Sequence, residues 1–263
     1  MEKYFTGNAL WGDAFSLEEI KAWYNAEAEA YADLYGLDSV KTYGSHRADI
    51  FYGYKHLGKN TVFENVLGIG SSWGYEFLPV IDRIKHLTIL ESSTQTRSET
   101  LGKITPKYMQ PNIDGTIDLP DACFDLITCF SVLHHIPNVT FVLNELFRVL
   151  KPGGYLLLRE PVISMGDWRT ARPGLTANER GIPKDYLLKI IEDANMTVVK
   201  KSCCSFISSF LIRNGFKHSD KKWYLYIDKF LSNLFAFNVH YHAKNKRQRI
   251  SPMALFCVLK KPQ

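Results

Sequence analysis

The five cysteines of this 263-residue chain, Cys123, Cys129, Cys203, Cys204 and Cys257, include no C-x-x-C pair. An odd set without metal-type spacing argues against a disulfide framework and against a structural zinc site. Most of them fall in runs that read as buried strands, where a thiol packs as a small hydrophobe. A reducing, cytoplasmic setting and no bound metal are therefore expected. Long apolar runs are missing as well: none reaches the roughly 18–20 residues that cross a bilayer. The opening MEKYFTGNALWGDAF lacks the basic-then-apolar order of a secretion signal. These absences leave only peripheral membrane contact open. The net charge of +5 is mild, where a nucleic-acid partner calls for a strong basic stripe.

What is present is an ordinary globular composition, 46% hydrophobic and 22% charged, enough for a sizeable core. Ser16 and Glu19 make a capping-box pattern, and the spacing predicts a helix from Leu17 to about Tyr35. A looser helix is expected over Ala48–Leu57. Apolar runs of strand length then alternate with helical periods. Strands are predicted over Val62–Ile69, His86–Glu91, Lys107–Ile113, Phe124–Leu133, Tyr155–Glu160, Thr197–Cys204 and Ala254–Lys260. Helices are predicted over Tyr75–Ile84, Thr94–Lys103, Phe141–Leu150 and Pro183–Ala194. The grammar predicts an α/β fold: a Rossmann-like, seven-stranded, mostly parallel sheet with helices on both faces. One domain over 1–263 is expected, divided into a helical lid (1–58), a core (59–161) and a more loosely patterned remainder (162–263). The last part carries an aromatic and basic insertion, residues 206–250, between strands six and seven.

Two segments carry chemistry. Val66-Leu67-Gly68-Ile69-Gly70-Ser71-Ser72-Trp73-Gly74 is a strand that runs into a glycine-bearing turn, where a missing Cβ lets a ligand approach the backbone. Phe124–Pro161 reads as a strand, a loop with two adjacent histidines, an amphipathic helix, a Lys-Pro-Gly-Gly stop and a second buried strand. Together they resemble the class I S-adenosylmethionine-dependent methyltransferases of the small-molecule type with a VLHH loop, over roughly residues 60–161.

The resemblance implies a cofactor site beyond the carboxyl ends of the strands, with Gly68, Gly70, Ser71, Glu91, Asp114 and Ser131 as cofactor-binding residues. Glu91 matches the acid that takes the ribose hydroxyls, and also reads as a strand-end charge. Asp114 matches the residue before the family's Leu-Pro and Phe-Asp, and equally suits an Asp-Gly turn. Two positions depart from the family: Gly68 replaces an acid and Ser72 replaces a glycine. A nicotinamide dinucleotide would want a glycine at 72 or 73, and the chain has none there.

His134 and His135 follow the fourth strand, on the loop that faces the sulfonium in related enzymes. Methyl transfer to oxygen needs a positioned acceptor and a base, and histidine suits that role near neutral pH. The resemblance implies His134 as the base and makes His135 a second catalytic candidate. Tyr31 on the first long helix, with Arg159, Glu160, Arg169, Arg172 and Arg180, forms the candidate acceptor-binding set. Arginine forks suit carboxylate or phosphate, so an acidic or phosphorylated sugar or glycan in polysaccharide biosynthesis is the expected acceptor. Methylation at carbon or nitrogen of a quinone, lipid or amine is the alternative. A methyltransferase-like binding protein without activity is a third reading, kept open by Gly68 and Ser72. The fourth strand lacks the Asp/Asn-Pro-Pro-Tyr motif and the Pro-Cys nucleophile of nucleic-acid-modifying relatives. A monomer or homodimer is expected, with the aromatic insertion as lid or dimer face.

Overall fold

The computed structural model describes residues 2–34, 47–172, 174–207 and 222–263. Seven strands form one sheet: β1 (Phe63–Ile69), β2 (Ile84–Leu90), β3 (Lys107–Met109), β4 (Phe124–Phe130), β5 (Leu150–Pro161), β6 (Thr197–Cys204) and β7 (Ala254–Lys260). Their order is β3-β2-β1-β4-β5-β7-β6. Every pairing is parallel except those of β7, which runs antiparallel to both β5 and β6. The order reverses between β1 and β4, the crevice where an open parallel sheet receives ligands.

The described helices are α1 (Glu2–Phe5), α2 (Leu17–Leu34), α3 (Arg47–Tyr52), α4 (Val139–Val149), α5 (Lys184–Asp193) and α6 (Lys222–Leu234). The sheet is buried on both faces. Leu143 and Leu146 of α4 and Leu187, Ile190 and Ile191 of α5 pack over Leu67, Ile127 and Leu156 on one side. Tyr52, Tyr54, Phe77 and Val80 pack over Val66, Leu126 and Leu157 on the other. Adjacent residues of one strand thus serve opposite cores, which is why the central strands read as continuous apolar runs. Burying one such leucine is worth about 1.5–3 kcal/mol.

The start of α2 is a capping box: the Ser16 and Glu19 backbone amides each donate to the other residue's side chain. Asp13 reaches across to cap α4, accepting from the Thr140 amide at 2.7 Å, and it also takes the Tyr186 hydroxyl. The N-terminal segment is thereby tied to the helix that follows the histidine loop.

Three expectations are corrected. Residues Tyr75–Arg83 form a 3-10 segment rather than an α-helix, because Pro79 in its middle has no N–H to donate. Thr94–Lys103 holds no helix; it is a run of bends and turns with one bridge between Leu101 and Ile104. Lys151-Pro152-Gly153-Gly154 does not precede the fifth strand but lies within it, as an irregular start in which Gly153 takes φ +77°.

Candidate functional site

The carboxyl ends of β1, β2 and β4 bring Gly68, Gly70, Ser71, Glu91, Ser131 and His134 to one edge of the sheet. The turn after β1 is left-handed at Gly70 (φ +57°), Ser72 (φ +46°) and Gly74 (φ +74°). A Cβ on Gly70 would meet the Val132 side chain at 2.8 Å, so glycine lets the turn lie against the histidine loop. A Cβ on Gly68 would run into the Ser71 hydroxyl and stand 2.9 Å from the Phe77 ring. The Glu76 carboxylate is held there, accepting from Ser71 at 3.1 Å and from Thr128 at 2.5 Å, where Thr128 is the register partner of Gly68 on β4. A buried acid thus sits beside the position where the family carries one, delivered from the next segment. Glu76 is not among the residues expected from the sequence; its place just after the turn that follows Gly68 is the signal for it.

Glu91 closes β2 with its carboxylate turned toward this turn. Its Oε2 accepts from the Ser72 amide at 3.0 Å and its Oε1 from the Ser93 amide at 3.0 Å. A carboxylate has about four acceptor positions, so it can position the turn and still receive ribose hydroxyls. Asp114 uses Oδ1 on the Thr116 amide and hydroxyl, which hold its carboxyl below the usual range. Its carbonyl accepts from the Asn138 side-chain Nδ2 at 2.7 Å, which draws the Asp114 turn to the histidine loop. Ser131 leaves β4 with φ +60°, a conformation unfavourable for a residue with a side chain, and its amide donates to the Arg159 carbonyl. These residues fit an adenosine-type cofactor: a left-handed turn at the end of β1, a carboxylate beside it and polar groups along one edge.

The histidine loop is organised by buried charge. Glu160, fully buried, accepts from the Val132 and Leu133 amides at 2.9 Å each and from the His134 amide at 3.3 Å. Its Oε2 also lies 2.9 Å from His134 Nδ1, and Glu179 Oε1 lies 3.6 Å from His134 Nε2. Burial opposes a charged ring here, but the two carboxylates outweigh it and hold the His134 pKa up to about 9. His134 is therefore an imidazolium at neutral pH with a carboxylate at each nitrogen. His135 differs. Burial, reinforced by the neighbouring His134 charge, pushes its pKa down despite Glu27 Oε2 at 3.5 Å. Glu27 in turn takes the Thr176 hydroxyl at 2.7 Å and the Asn178 amide at 3.0 Å. Among the described residues, His134, His135 and Glu179 also form the group with metal-ligand spacing, their donor atoms within 4.8 Å of one another. A cation there would have to displace the His134 proton.

The acceptor-side residues are placed differently from the sequence reading. Arg180 is fully buried; it donates through Nε to the Trp11 carbonyl and through its other nitrogens to the carbonyls of His134, Ile136 and Pro137. Burial pulls its pKa down to about 10. Arg172 donates to the carbonyls of Met165, Thr176, Ala177 and Glu179. Arg159 pairs with Asp49 at 2.8 Å, and Arg169 lies at the surface against Asp167 and Glu2. The forks read as anion receptors thus bind the protein's own carbonyls and acids. Glu160, read as an acceptor ligand, is the anchor of the histidine loop. For Tyr31 the structure gives a place on α2, and its side chain lies outside the described residues.

A cluster of aromatic rings packs on this side. Trp11 stacks on Trp168 at 5.3 Å and meets Trp23 edge-on at 5.0 Å, and the Trp23 indole donates to the His135 carbonyl at 2.8 Å. Trp168, Arg172, Leu175 and Thr176 line a cavity of about 490 Å³. Through Thr176 and Glu27 its wall connects to His135.

Comparison with known proteins agrees with this geometry. Residues 67–158 match the family described as Methyltransferase domain. The chain is 23% identical over 175 residues to a ubiquinone biosynthesis O-methyltransferase of Pectobacterium atrosepticum, a match covering 64% of each chain. It spans less than two thirds of the curated relatives it matches. A SAM-dependent methyltransferase structure from Archaeoglobus fulgidus shares the fold at 15% identity and a TM-score of 0.53, over 86% of this chain and 98% of that one. So does the [4+2]-cyclase SpnF, at 16% identity and a TM-score of 0.55, over 82% and 81%. Residues 67–158 thus carry a methyltransferase domain, and the seven-stranded sheet whose order reverses between β1 and β4, with a cofactor edge that fits S-adenosylmethionine, is the fold of the class I S-adenosylmethionine-dependent methyltransferases.

Proposed function

We propose that the chain methylates a hydroxyl group on a small acceptor that carries an apolar ring, with His135 taking the proton. The observation that carries this reading is the division of labour between the two histidines. An imidazolium cannot accept a proton, so His134, charged and held at both nitrogens, positions the loop. Beside it His135 is neutral at pH 7 and half-buried, the state a general base needs. The cofactor supplies an activated methyl on a sulfonium. His135 would take the acceptor's hydroxyl proton as that oxygen receives the methyl group.

The turn at Gly68–Gly74 and the Glu91 carboxylate would hold the nucleoside, with Asp114 and Ser131 along the same edge. Glu76 would supply the negative charge that Gly68 lacks, next to the cofactor's ammonium end. An apolar ring is favoured over an anionic sugar, because Trp168 lines the cavity and the arginines an anion would need are spent on internal bonds. The relative named for ubiquinone biosynthesis points to the same acceptor class.

Calorimetry and a methylation assay with labelled cofactor test the reading. The protein is expected to bind S-adenosylmethionine and its demethylated product, and to methylate phenolic acceptors ahead of sugar acids. His135→Ala should lower kcat, with partial recovery at higher pH, while cofactor affinity stays unchanged. Absence of binding to either cofactor form would sink the proposal. Full turnover by His135→Ala would transfer the reaction to carbon or nitrogen, where no hydroxyl proton has to be removed. Cofactor binding without methylation of any acceptor would point to a non-methylating use of the fold.

A further inference from the structure

Helix α6 is amphipathic the wrong way round for a helix that only packs on its own protein. Its inward positions are Tyr224, Asp228 and Ser232, all buried, against β6 and α3. Asp228 is satisfied there by the Ser205 and Ile207 amides and the Tyr52 hydroxyl. The large apolar residues stand on the opposite side: Trp223 is 56% exposed, Tyr226 64%, Phe230 65% and Leu234 52%. Positions 223, 226, 230 and 234 recur at helical spacing and make one stripe. Phe237, 82% exposed just past the helix, extends it. A contiguous exposed apolar patch of this kind marks an interaction surface.

The charge around the stripe has one sign. From residue 222 to 250 the only acid is Asp228, which is buried. Lys244, Lys246, Arg247 and Arg249 are exposed and enter none of the ion pairs among the described residues. The basic segment is fastened beside the end of the stripe: the Asn238 side chain donates to the carbonyls of Arg247 at 2.9 Å and Ile250 at 2.8 Å. Ile250, 49% exposed, adds an apolar residue among these charges. Lys229 leans over the Phe51 ring at 5.3 Å, and Tyr226 packs on the same ring at 5.0 Å.

We propose that this surface seats the protein on an anionic lipid bilayer, with Trp223, Tyr226, Phe230, Leu234 and Phe237 entering the headgroup boundary. Lys244, Lys246, Arg247 and Arg249 would meet the lipid phosphates. Tryptophan, phenylalanine and leucine on one face with lysine and arginine at the border is the physical recipe for an interfacial helix. A second copy of this chain is the weaker occupant, because its own basic segment would bring like charges together. The proposal does not rest on methyl transfer, since vesicle binding is read without turnover.

Co-sedimentation of the full chain with vesicles of phosphatidylcholine, alone or mixed with phosphatidylglycerol, tests it. Binding is expected on the mixed vesicles, at least tenfold weaker on phosphatidylcholine alone, and weaker as salt rises. Replacing Lys244, Lys246, Arg247 and Arg249 by Gln should cost about fivefold per charge on the mixed vesicles only. Phe230→Ser with Phe237→Ser should cost tenfold or more on both. These positions are exposed, and unchanged cofactor binding by calorimetry serves as the folding control. Monomeric, cofactor-binding protein that partitions into neither vesicle would overturn the proposal. So would a concentration-dependent dimer that Phe230→Ser dissolves while no vesicle binding is seen, because the stripe would then belong to a second copy.

Discussion

The buried imidazolium at His134 makes a quantitative demand on stability. Its folded pKa of about 9 lies above the ordinary histidine value of 6.5, so the folded state holds the proton more tightly than the unfolded chain. The resulting stabilisation is fully present below about pH 6.5 and is lost as pH rises through 9. A shift of this size corresponds to about 3 kcal/mol. For a chain of this length, each kcal/mol moves the melting temperature by about 2 °C. The natural protein should therefore melt higher than His134→Gln by a margin that is about 6 °C larger near pH 6 than near pH 10. Taking the difference between the two proteins cancels the groups they share. Differential scanning calorimetry at both pH values measures it. A margin that stays constant or widens with pH would refute the charged state of His134, and with it the assignment of the base role to His135.

Other outcomes follow from the same geometry. Gly68→Ala forces a Cβ against Ser71 and Phe77 and should destabilise by about 1–3 kcal/mol; denaturant unfolding measures this, and cofactor affinity should fall with it. Glu91→Ala removes the partner of the Ser72 and Ser93 amides and should weaken cofactor binding by about tenfold or more by calorimetry. Glu76→Gln should weaken it less, with the loss confined to ligands that carry the amino acid end; 5′-methylthioadenosine should bind the variant and the natural protein alike. Arg180→Ala removes the side-chain donors of four carbonyls, of which those of Trp11 and Ile136 keep no backbone donor while those of His134 and Pro137 do, and should lower the melting temperature by several degrees, at about 2 °C per kcal/mol.

The parts of the fold written in apolar periodicity were legible in the sequence. Strands β6 and β7 fall on the residues expected, β7 as a continuous apolar run, and α4 and α5 lie within two residues of the helices expected there. Thr94–Lys103 misled because a polar stretch was assigned to a slot the architecture usually fills. Leu101 is its one large apolar residue, so it has no stripe to bury. Pro79 lies in the middle of the Tyr75–Arg83 segment and breaks the α-helical hydrogen-bond ladder there.

At the site, the glycines of the turn after β1 are legible because they report a local backbone need, the left-handed conformation at Gly70 and Gly74. The arginines are not. A loop arginine looks the same in sequence whether it awaits a phosphate or is ringed by carbonyls, and only the folded loops decide between the two. Glu160 carries the same lesson: placed at a strand end it read as a ligand, and the structure turns it inward onto the amides of the histidine loop.

Arg180 takes carbonyls from the segment before α2 and from the histidine loop, while its own position lies in the stretch after β5. Three pieces of chain distant in sequence thus share one fastener. Exchange of the loop after β5 to redirect the enzyme toward another acceptor would withdraw that fastener from the other two. A graft that keeps an arginine at 180 retains the frame in which new contacts can be tried, whereas a graft without it changes the histidine loop before any substrate arrives.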